Sequence, residues 1–298
     1  MRIIVLLSTY NGEEYLEEQL DSILSQNVEH LDILIRDDES TDNTITIIKE
    51  YIKKYKNISF YEGQNIGSCR SYFDLIQKVQ DDYDYYAFAD QDDYWLQDKL
   101  AKAVQRLQTV DKAMPTLYCS NVIATDENLK PIKSVYSNEV VKTNFRNAVF
   151  ENVAIGCSCV LNNKLLTLIK KHIPRYCYMH DWWCYISASY FGQVIYDCDS
   201  YILYRQHSSN VLGTSSNILS QYIKRMKQSK KLCHIPSMHM KALLENYVIT
   251  EDTEFIQNVI RAKNQMKARM YLMKKGSFTR TRRLDTIMYK IRILVCGC

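Results

Sequence analysis

Apolar runs of strand length alternate with helical periodicities along the first hundred residues. The runs at residues 2–8, 31–36, 58–61 and 85–89 are nearly continuous, as in strands that a parallel sheet buries on both faces. Between them, apolar side chains recur at helical spacing, as at Leu16, Leu20 and Ile23. This alternation predicts βαβ units, and hence an α/β fold with a mostly parallel sheet flanked by helices.

Polar side chains follow the apolar runs where the strands are predicted to end. Thr9 follows the first run, Asp38 the second and Asp90 the fourth. The carboxyl ends of parallel strands lie along one edge of a sheet, and open α/β sheets bind ligands beyond that edge. The pattern therefore predicts a site assembled from residues that are far apart in the chain.

The fourth run leads directly into Asp90-Gln91-Asp92-Asp93. Carboxylates this close repel one another, and hard cations such as Mg²⁺ and Mn²⁺ take carboxylate and phosphate oxygens as ligands. The spacing of Asp90 and Asp92 suits a cation that bridges the protein to a diphosphate. The alternative is a polar turn that caps a helix beginning near Leu96, because aspartate is a common helix cap.

The pattern after residue 116 is less periodic. Residues 117–120 predict a further strand, residues 125–150 an irregular segment that covers the site, and Gly156 a close approach to a ligand or a plain buried turn. A helix is predicted from His180 to residue 191, followed by two strands at 194–196 and 201–204. The second of these strands leads to His207.

Charge divides the chain into two regions. Residues 1–216 contain 21 Lys and Arg against 29 Asp and Glu, a net charge of −8, whereas residues 217–298 contain 17 against 5, a net charge of +12. This shift predicts a domain boundary between residues 216 and 217 and a basic helical C-terminal region. The basic clusters are Arg225, Lys227, Lys230 and Lys231, then Arg280, Arg282 and Arg283, and apolar residues at helical spacing include Tyr222, Met226, Ile287, Ile291 and Leu294.

Several classes of protein are disfavoured. The first strand is followed by Thr-Tyr-Asn-Gly rather than a glycine-rich dinucleotide loop, and no P-loop or recognised nucleic-acid module occurs. The ten cysteines lack paired metal-ligand spacing. No apolar run has the length of a membrane span, and no signal peptide is evident. We therefore expect a cytoplasmic chain with reduced thiols.

The sequence resembles family 2 glycosyltransferases of the GT-A fold, a Rossmann-like architecture. The resemblance rests on five motifs in order: Ser-Thr-Tyr-Asn-Gly at 8–12, Arg-Asp-Asp-Glu-Ser-Thr-Asp at 36–42, Asn65-x-Gly67, Asp-Gln-Asp-Asp at 90–93 and His-Asp-Trp at 180–182. It covers residues 1 to about 213. The residues around the later motifs are similar to those of bacterial rhamnosyltransferases of surface polysaccharide synthesis.

The resemblance implies roles for particular residues. Nucleotide binding is implied for Thr9, Tyr10, Asn11, Asp38, Arg70, Asp90 and Gln91, with Asp38 accepting from the imide N–H of uracil or thymine. Mg²⁺ or Mn²⁺ binding is implied for Asp90, Asp92 and His207, although His207 is equally interpretable as a structural histidine. Asp181 matches the catalytic base, and Trp182 or Trp183 is a candidate to stack on an acceptor sugar. For these three residues the alternative is a helix cap beside two core tryptophans.

Two positions depart from the family pattern. His180 stands where the family has glutamate, but the base position that follows it is retained. Glu39 stands where the family often has a small residue, which makes the conformation of that loop less certain. We also expect the Asp181 side chain to point into open space in the same cleft as Asp92.

The resemblance implies an inverting, metal-dependent transfer of a sugar from a dTDP- or UDP-linked donor to a glycan or lipid-linked acceptor. L-rhamnose from dTDP-rhamnose is the specific candidate, in cell-surface polysaccharide synthesis. A non-catalytic sugar-nucleotide-binding subunit of an assembly complex is the alternative. A nucleotidyltransferase is disfavoured, because no basic glycine-rich N-terminal loop is present. The basic C-terminal region predicts peripheral docking on an anionic membrane, at the inner face of the plasma membrane, or else a solvated helical extension.

Overall fold

The computed structural model describes residues 1–136, 139–207 and 233–297. These residues divide into two compact units. Residues 1–136, 154–171 and 179–207 form the first unit, and residues 139–153, 172–178 and 233–297 form the second. The boundary predicted between residues 216 and 217 lies outside the described residues, as do Tyr222, Arg225, Met226, Lys227, Lys230 and Lys231.

The first unit contains one sheet and its flanking helices. Its strands are β1 (Ile3–Thr9), β2 (Leu31–Asp37), β3 (Ile58–Glu62), β4 (Tyr85–Ala89), β5 (Tyr94–Trp95), β6 (Thr116–Thr125), β7 (Pro131–Ser134), β8 (Val160–Asn162) and β9 (Gln193–Arg205). Its helices are α1 (Leu16–Leu24), α2 (Thr44–Lys54), α3 (Ser68–Lys78), α4 (Lys99–Leu107), α6 (Asn163–Lys171) and α7 (His180–Phe191). The alternating elements predicted for the first hundred residues are confirmed.

The sheet has the strand order β3-β2-β1-β4-β8-β6-β9-β5, with β7 paired to β6. Strands β3, β2, β1 and β4 are parallel, and β6 and β9 are parallel to each other. The short β8 runs antiparallel to both of its neighbours. The predicted α/β class with a mostly parallel sheet is therefore confirmed.

Burial of the central strands explains their unbroken apolar sequence. Ile3, Val5 and Leu7 of β1 pack with Leu16, Leu20 and Ile23 of α1 in one core cluster. Because helices cover both faces, residues that point in opposite directions from one strand are buried equally, as Leu6 and Leu7 are. This geometry removes the polar–apolar alternation that a half-exposed strand would show.

Three local predictions were wrong. The two strands expected after residue 193 are one strand, β9, whose pairing with β6 shifts register between Ser120 and Ile123. The helix expected near Leu96 begins at Lys99, because Tyr94 and Trp95 pair with β9 instead. Residues 125–150 are not wholly irregular, since they include β7 and the short helix α5 (Phe145–Ala148).

The second unit is helical in the residues described. It contains α5 and the C-terminal helices α8 (Ile235–Asn246), α9 (Thr253–Arg261), α10 (Met266–Met273) and α11 (Arg283–Cys296). Phe150 and Phe278 stack in its core with ring centroids 3.9 Å apart. The helical C-terminal region predicted from the sequence is thus present. None of the described helices combines the length and apolarity needed to cross a bilayer.

Candidate active site

The carboxyl ends of three neighbouring strands bring the first predicted residues together. Thr9 at the end of β1 lies opposite Asp37 of β2, and Leu7 lies opposite Ala89 of β4. The Thr9 hydroxyl donates to Asp37 Oδ2 at 2.8 Å. Since all three strands are parallel, the chain segments that follow them leave the sheet on the same side.

Gln91 connects the segment after β4 to the segment after β1. Its Oε1 accepts from the Tyr10 backbone N–H at 2.8 Å, and its Nε2 donates to the Tyr10 carbonyl at 3.0 Å. A Cβ atom at Gly12 would lie 2.4 Å from Gln91 Oε1. Glycine at position 12 therefore leaves the space that the Gln91 amide occupies.

The segment after β2 is joined to the segment after β1 by polar contacts. Asn11 Oδ1 accepts from the Thr41 backbone N–H at 2.8 Å, and the Asn11 N–H donates to Ser40 Oγ at 2.9 Å. Glu39 has a φ of 70°, in the left-handed region that favours glycine. That conformation explains why small residues suit this position, and the Glu39 carboxylate here accepts from the Asn65 N–H at 3.1 Å.

Asp38 is buried in a network centred on Arg36. The guanidinium donates from Nη1 to Asp38 Oδ1 at 2.5 Å and from Nε to Asp74 Oδ2 at 2.9 Å. Asp38 also accepts from the backbone N–H groups of Ile66 and Gly67, both at 2.9 Å. Oδ2 receives one of these bonds and Oδ1 two, so Oδ2 keeps acceptor capacity for a further donor.

Asp90 is held from the side by Tyr72 of α3. The Tyr72 hydroxyl contacts Asp90 Oδ1 at 2.9 Å, and the Tyr72 ring stacks on the His180 ring with centroids 3.7 Å apart. Burial, together with the negative charges of Asp92 and Asp181, raises the pKa of Asp90 to about 7. Asp92, which follows β4, and Asp181 of α7 are thus both close enough to influence the charge of Asp90.

Asp92 meets His207, which follows β9. His207 Nε2 lies 2.7 Å from Asp92 Oδ2, although the two residues are 115 positions apart in sequence. Arg205 braces the same turn, donating from Nε to the Asp92 carbonyl at 2.8 Å and from its backbone N–H to Asp93 Oδ1 at 3.1 Å. The antiparallel pairing of β5 with β9 brings His207 close to Asp92.

The donor set of this turn fits a hard divalent cation. Asp90 and Asp92 offer carboxylate oxygens and His207 an imidazole nitrogen, a combination that Mn²⁺ accepts. Asp93 Oδ2 is buried without a hydrogen-bond partner among the described residues, and its pKa is raised well above the usual value by burial and by Asp92. Burial and the neighbouring Asp93 and Asp90 carboxylates raise the pKa of the Cys157 thiol well above its usual value. A cation would relieve the excess of negative charge.

Asp181 is the second residue of α7, and its side chain does not point into open space as expected. It is 6% exposed, and Oδ1 accepts from the Trp182 N–H at 2.5 Å. A carboxylate in the first helical turn is drawn to N–H groups that have no partner within the helix. On its other side, a Cβ atom at Gly156 would lie 3.4 Å from Asp181 Oδ2. The absence of a side chain there leaves room beside the carboxylate.

The remaining predicted residues differ in exposure. Trp183 is fully buried, so a sugar cannot stack on its ring in this arrangement, whereas Trp182 is partly exposed. Tyr10 is exposed, and Arg70 is partly exposed in the first turn of α3. Of the two tryptophans, Trp182 is therefore the one whose ring a sugar could reach.

Sequence reasoning missed Arg36, Tyr72 and Arg205, which hold the acidic residues in place. Arg36 and Arg205 each stand at the end of an otherwise apolar run. A charged side chain in a buried strand must be paired, so these positions carried a usable signal. Tyr72 carried none, because a tyrosine on the apolar face of a helix is ordinarily core.

The candidate residues from Thr9 to Asp93 lie within the part of the chain that a known family model matches, whereas Asp181, Trp182 and His207 follow it. The model for glycosyl transferase family 2 matches residues 4–160. The chain belongs to glycosyl transferase family 2. The protein is therefore a glycosyltransferase, as the motifs indicated.

Individual proteins support the family assignment. The dTDP-rhamnosyl transferase RfbG of Shigella flexneri is 34% identical over 227 residues, which span 72% of this chain and 76% of that protein. The resemblance to rhamnosyltransferases seen in the motifs is thus matched by a relative that covers most of this glycosyltransferase.

Solved structures show the same fold. TarS of S. aureus in complex with UDP superposes with a TM-score of 0.60 and 16% identity, covering 93% of this chain and 76% of that one. The mannosyltransferase PcManGT of Pyrobaculum calidifontis, in complex with GDP-Man and Mn²⁺, gives a TM-score of 0.57 and 14% identity, covering 99% and 86%. The first unit of this glycosyltransferase accordingly has the GT-A fold.

Proposed function

We propose that this glycosyltransferase moves L-rhamnose from dTDP-rhamnose to a glycan or lipid-linked acceptor, by a metal-dependent, inverting displacement. The observation that carries the proposal is the contact between Asp92 and His207 beside Asp90 at the carboxyl edge of the sheet, with Asp181 near enough to influence the charge of Asp90. The similarity to the RfbG rhamnosyl transferase supports the choice of donor sugar. The role in surface polysaccharide synthesis follows from the same resemblance.

Asp38 is the proposed contact to the nucleotide base. Its Oδ2 retains acceptor capacity, while Arg36 holds the carboxylate in place. An acceptor in this position suits the imide N–H of thymine or uracil, whereas cytosine has no such donor. Thr9, Tyr10, Asn11, Arg70 and Gln91 are proposed to line the rest of the nucleotide pocket.

Asp90, Asp92 and His207 are the proposed ligands of Mg²⁺ or Mn²⁺. When bound, the cation would neutralise the charge that develops on the departing diphosphate. The chain's part is to hold the Asp92 carboxylate against the His207 imidazole and the Asp90 carboxylate against the Tyr72 hydroxyl, with Arg205 fixing the turn.

Asp181 is the proposed general base. It takes the proton from an acceptor hydroxyl as the hydroxyl oxygen bonds to the anomeric carbon, and the bond to the diphosphate breaks with its electron pair leaving on phosphate oxygen. Attack opposite the leaving group inverts the anomeric configuration. Trp182 is proposed to stack on the acceptor sugar, and Gly156 to leave space beside the base.

The donor assignment predicts nucleotide selectivity. In the presence of Mn²⁺, dTDP and UDP should raise the melting temperature more than GDP and CDP do, because only thymine and uracil present the imide donor to an acceptor at Asp38. Differential scanning fluorimetry at matched nucleotide concentration measures this. Equal shifts for all four nucleotides would contradict the assignment. A transfer assay with dTDP-rhamnose and UDP-glucose then separates the sugar from the base.

The base assignment predicts the behaviour of Asp181→Asn. Asparagine retains the oxygen that accepts from the Trp182 N–H but cannot take a proton, so turnover should fall by about 10²–10⁴-fold while donor affinity stays near that of wild type. Calorimetric donor binding and a transfer assay on the same sample measure both quantities. The matched control is Asp197→Asn, which alters a buried aspartate that bonds Tyr118. Near-wild-type turnover of Asp181→Asn would remove this residue from the mechanism.

A further inference from the structure

Helix α11 presents an apolar stripe to solvent. Its outward residues are Leu284, Ile287, Met288, Ile291, Leu294 and Val295, whose exposed fractions lie between 36 and 71%. Spacings of three and four residues place all six on one face of the helix. Soluble proteins rarely expose a contiguous apolar surface of this kind without an interaction to cover it.

The opposite face of α11 is already committed to the second unit. Ile293 is fully buried, and the Tyr289 ring meets Phe150 with centroids 5.4 Å apart. Arg269 of α10 donates from Nη1 to the carbonyls of Leu294 and Val295 at 3.0 and 3.2 Å. Because the helix is anchored on this side, the apolar stripe is a fixed feature of the folded unit.

Positive charge surrounds the stripe in sequence. Residues 261–297 contain 11 Lys and Arg against one acid, Asp285, a net charge of +10. The exposed members include Lys263, Lys267, Lys274, Lys275 and Arg283. Exposed Met266 and Met270 of α10 add further apolar surface between these basic residues.

We propose that the stripe on α11 inserts into the headgroup region of an anionic lipid bilayer, with the helix lying in the plane of the membrane. An apolar face bordered by Lys and Arg is the composition of helices that bind at membrane interfaces. The helix has 14 residues and so is about 21 Å long, which fits in the membrane plane but not across it. This surface goes beyond the transfer chemistry and does not depend on the identity of the donor.

The positive charge around the stripe disfavours the other molecules that could cover it. A second copy of the chain would bring the same +10 segment against itself, and like charges across an interface are unfavourable. Nucleic acid would satisfy the charge, but it would leave six apolar side chains facing phosphates. An anionic bilayer accommodates both features at once.

Vesicle binding by the full-length protein tests the proposal. Co-sedimentation should show binding to vesicles of phosphatidylcholine that contain about 30 mol% phosphatidylglycerol. Binding to vesicles of phosphatidylcholine alone should be much weaker. The double variant Ile287→Gln/Ile291→Gln should bind at least about tenfold more weakly, because two inserted side chains lose their apolar character. Lys274→Gln and Lys275→Gln should each weaken binding about fivefold at low salt, and added salt should weaken wild-type binding.

Val248→Gln is the matched control, because Val248 is 88% exposed in the same unit but lies outside α11. It should bind like wild type, and all variants should keep the wild-type melting temperature, because every changed side chain is exposed. The proposal is overturned if the α11 double variant binds like wild type, or if neutral and anionic vesicles bind equally. Absence of wild-type binding to either vesicle also overturns it. Sedimentation velocity that shows a dimer disrupted by the double variant would instead identify a second copy as the occupant.

Discussion

At the scale of residues, the surroundings of individual aspartates determine how favourable their negative charge is. Asp90 lies near the charges of Asp92 and Asp181, whereas Asp38 is neutralised by Arg36. Burial and the neighbouring carboxylates make ionisation of Asp90 unfavourable, so its pKa is raised. Asp90 is therefore a residue whose charge destabilises the metal-free protein.

The raised pKa of Asp90 predicts how the substitution Asp90→Asn changes the pH dependence of stability. A carboxyl group whose pKa is raised to about 7 on folding binds more protons in the folded state, so stability is lost as pH rises from about 4 to about 7. In chelator at pH 8, Asp90→Asn should stabilise the protein by roughly 1–3 kcal/mol, since it removes that charge. At pH 5 the stabilisation should be only about a third as large, because Asp90 is ionised in the unfolded state but still protonated in the folded state.

Thermal unfolding in EDTA at the two pH values measures the difference. The amide still accepts from Tyr72, so the comparison isolates the charge. A stabilisation of the same size at pH 5 and pH 8 would show that something other than ionisation is responsible.

At the scale of elements, strand β2 contains a buried charge near the end of its mostly apolar sequence. Arg36 lies near the end of β2, and its side chain is 3% exposed. The guanidinium donates hydrogen bonds to Asp38, to Asp74 and to the Gln64 carbonyl. A Cβ atom at Gly63 would lie 2.4 Å from Arg36 Nη2, so the chain after β3 passes closely over the guanidinium. One buried cation thus ties β2 to α3 and to the segment that supplies backbone donors to Asp38.

Arg36→Met should therefore be strongly destabilising. Methionine fills a similar volume but leaves the buried Asp38 carboxylate without its cation, which costs about 2–4 kcal/mol. Nucleotide affinity should fall as well, because Asp38 is no longer held in place. Urea unfolding and dTDP binding measure the two effects.

Lys49→Met provides the surface comparison. Lys49 pairs with Glu62 at 3.3 Å, but both side chains are more than half exposed. Losing such a pair should cost less than about 1 kcal/mol. If both variants lost equal stability, the argument from burial of the Arg36 network would be wrong.

At the scale of the whole molecule, the two units differ in charge and in exposed surface. We propose that residues 1–216 carry transfer chemistry and that the basic residues from 217 onward carry membrane docking. The candidate active site lies wholly in the first unit, and the apolar stripe of α11 lies wholly in the second. The vesicle experiment and the Asp181→Asn experiment therefore address separate parts of the protein.

The sequence by itself determined the alternating strands and helices of the first hundred residues and the edge of the sheet where polar residues gather. Both follow from local rules: hydrophobic periodicity specifies strands and helices, and parallel strands end on a common edge. The five ordered motifs also identified the family. Even the helical character of the C-terminal region was readable from the spacing of Ile287, Ile291 and Leu294.

Only the tertiary structure decided which groups meet. The contact between Asp92 and His207 depends on β5 pairing with β9 across more than a hundred residues, and no local pattern encodes that pairing. The orientation of Asp181 depends on how α7 packs beside Gly156, so the sequence predicted an open side chain where the fold buries it. Likewise, the spacing on α11 indicated an amphipathic helix, but which of its faces would be buried depended on Phe150 and Phe278 packing against Tyr289. Periodicity reports that a face is apolar, whereas the packing of distant elements determines whether that face is covered.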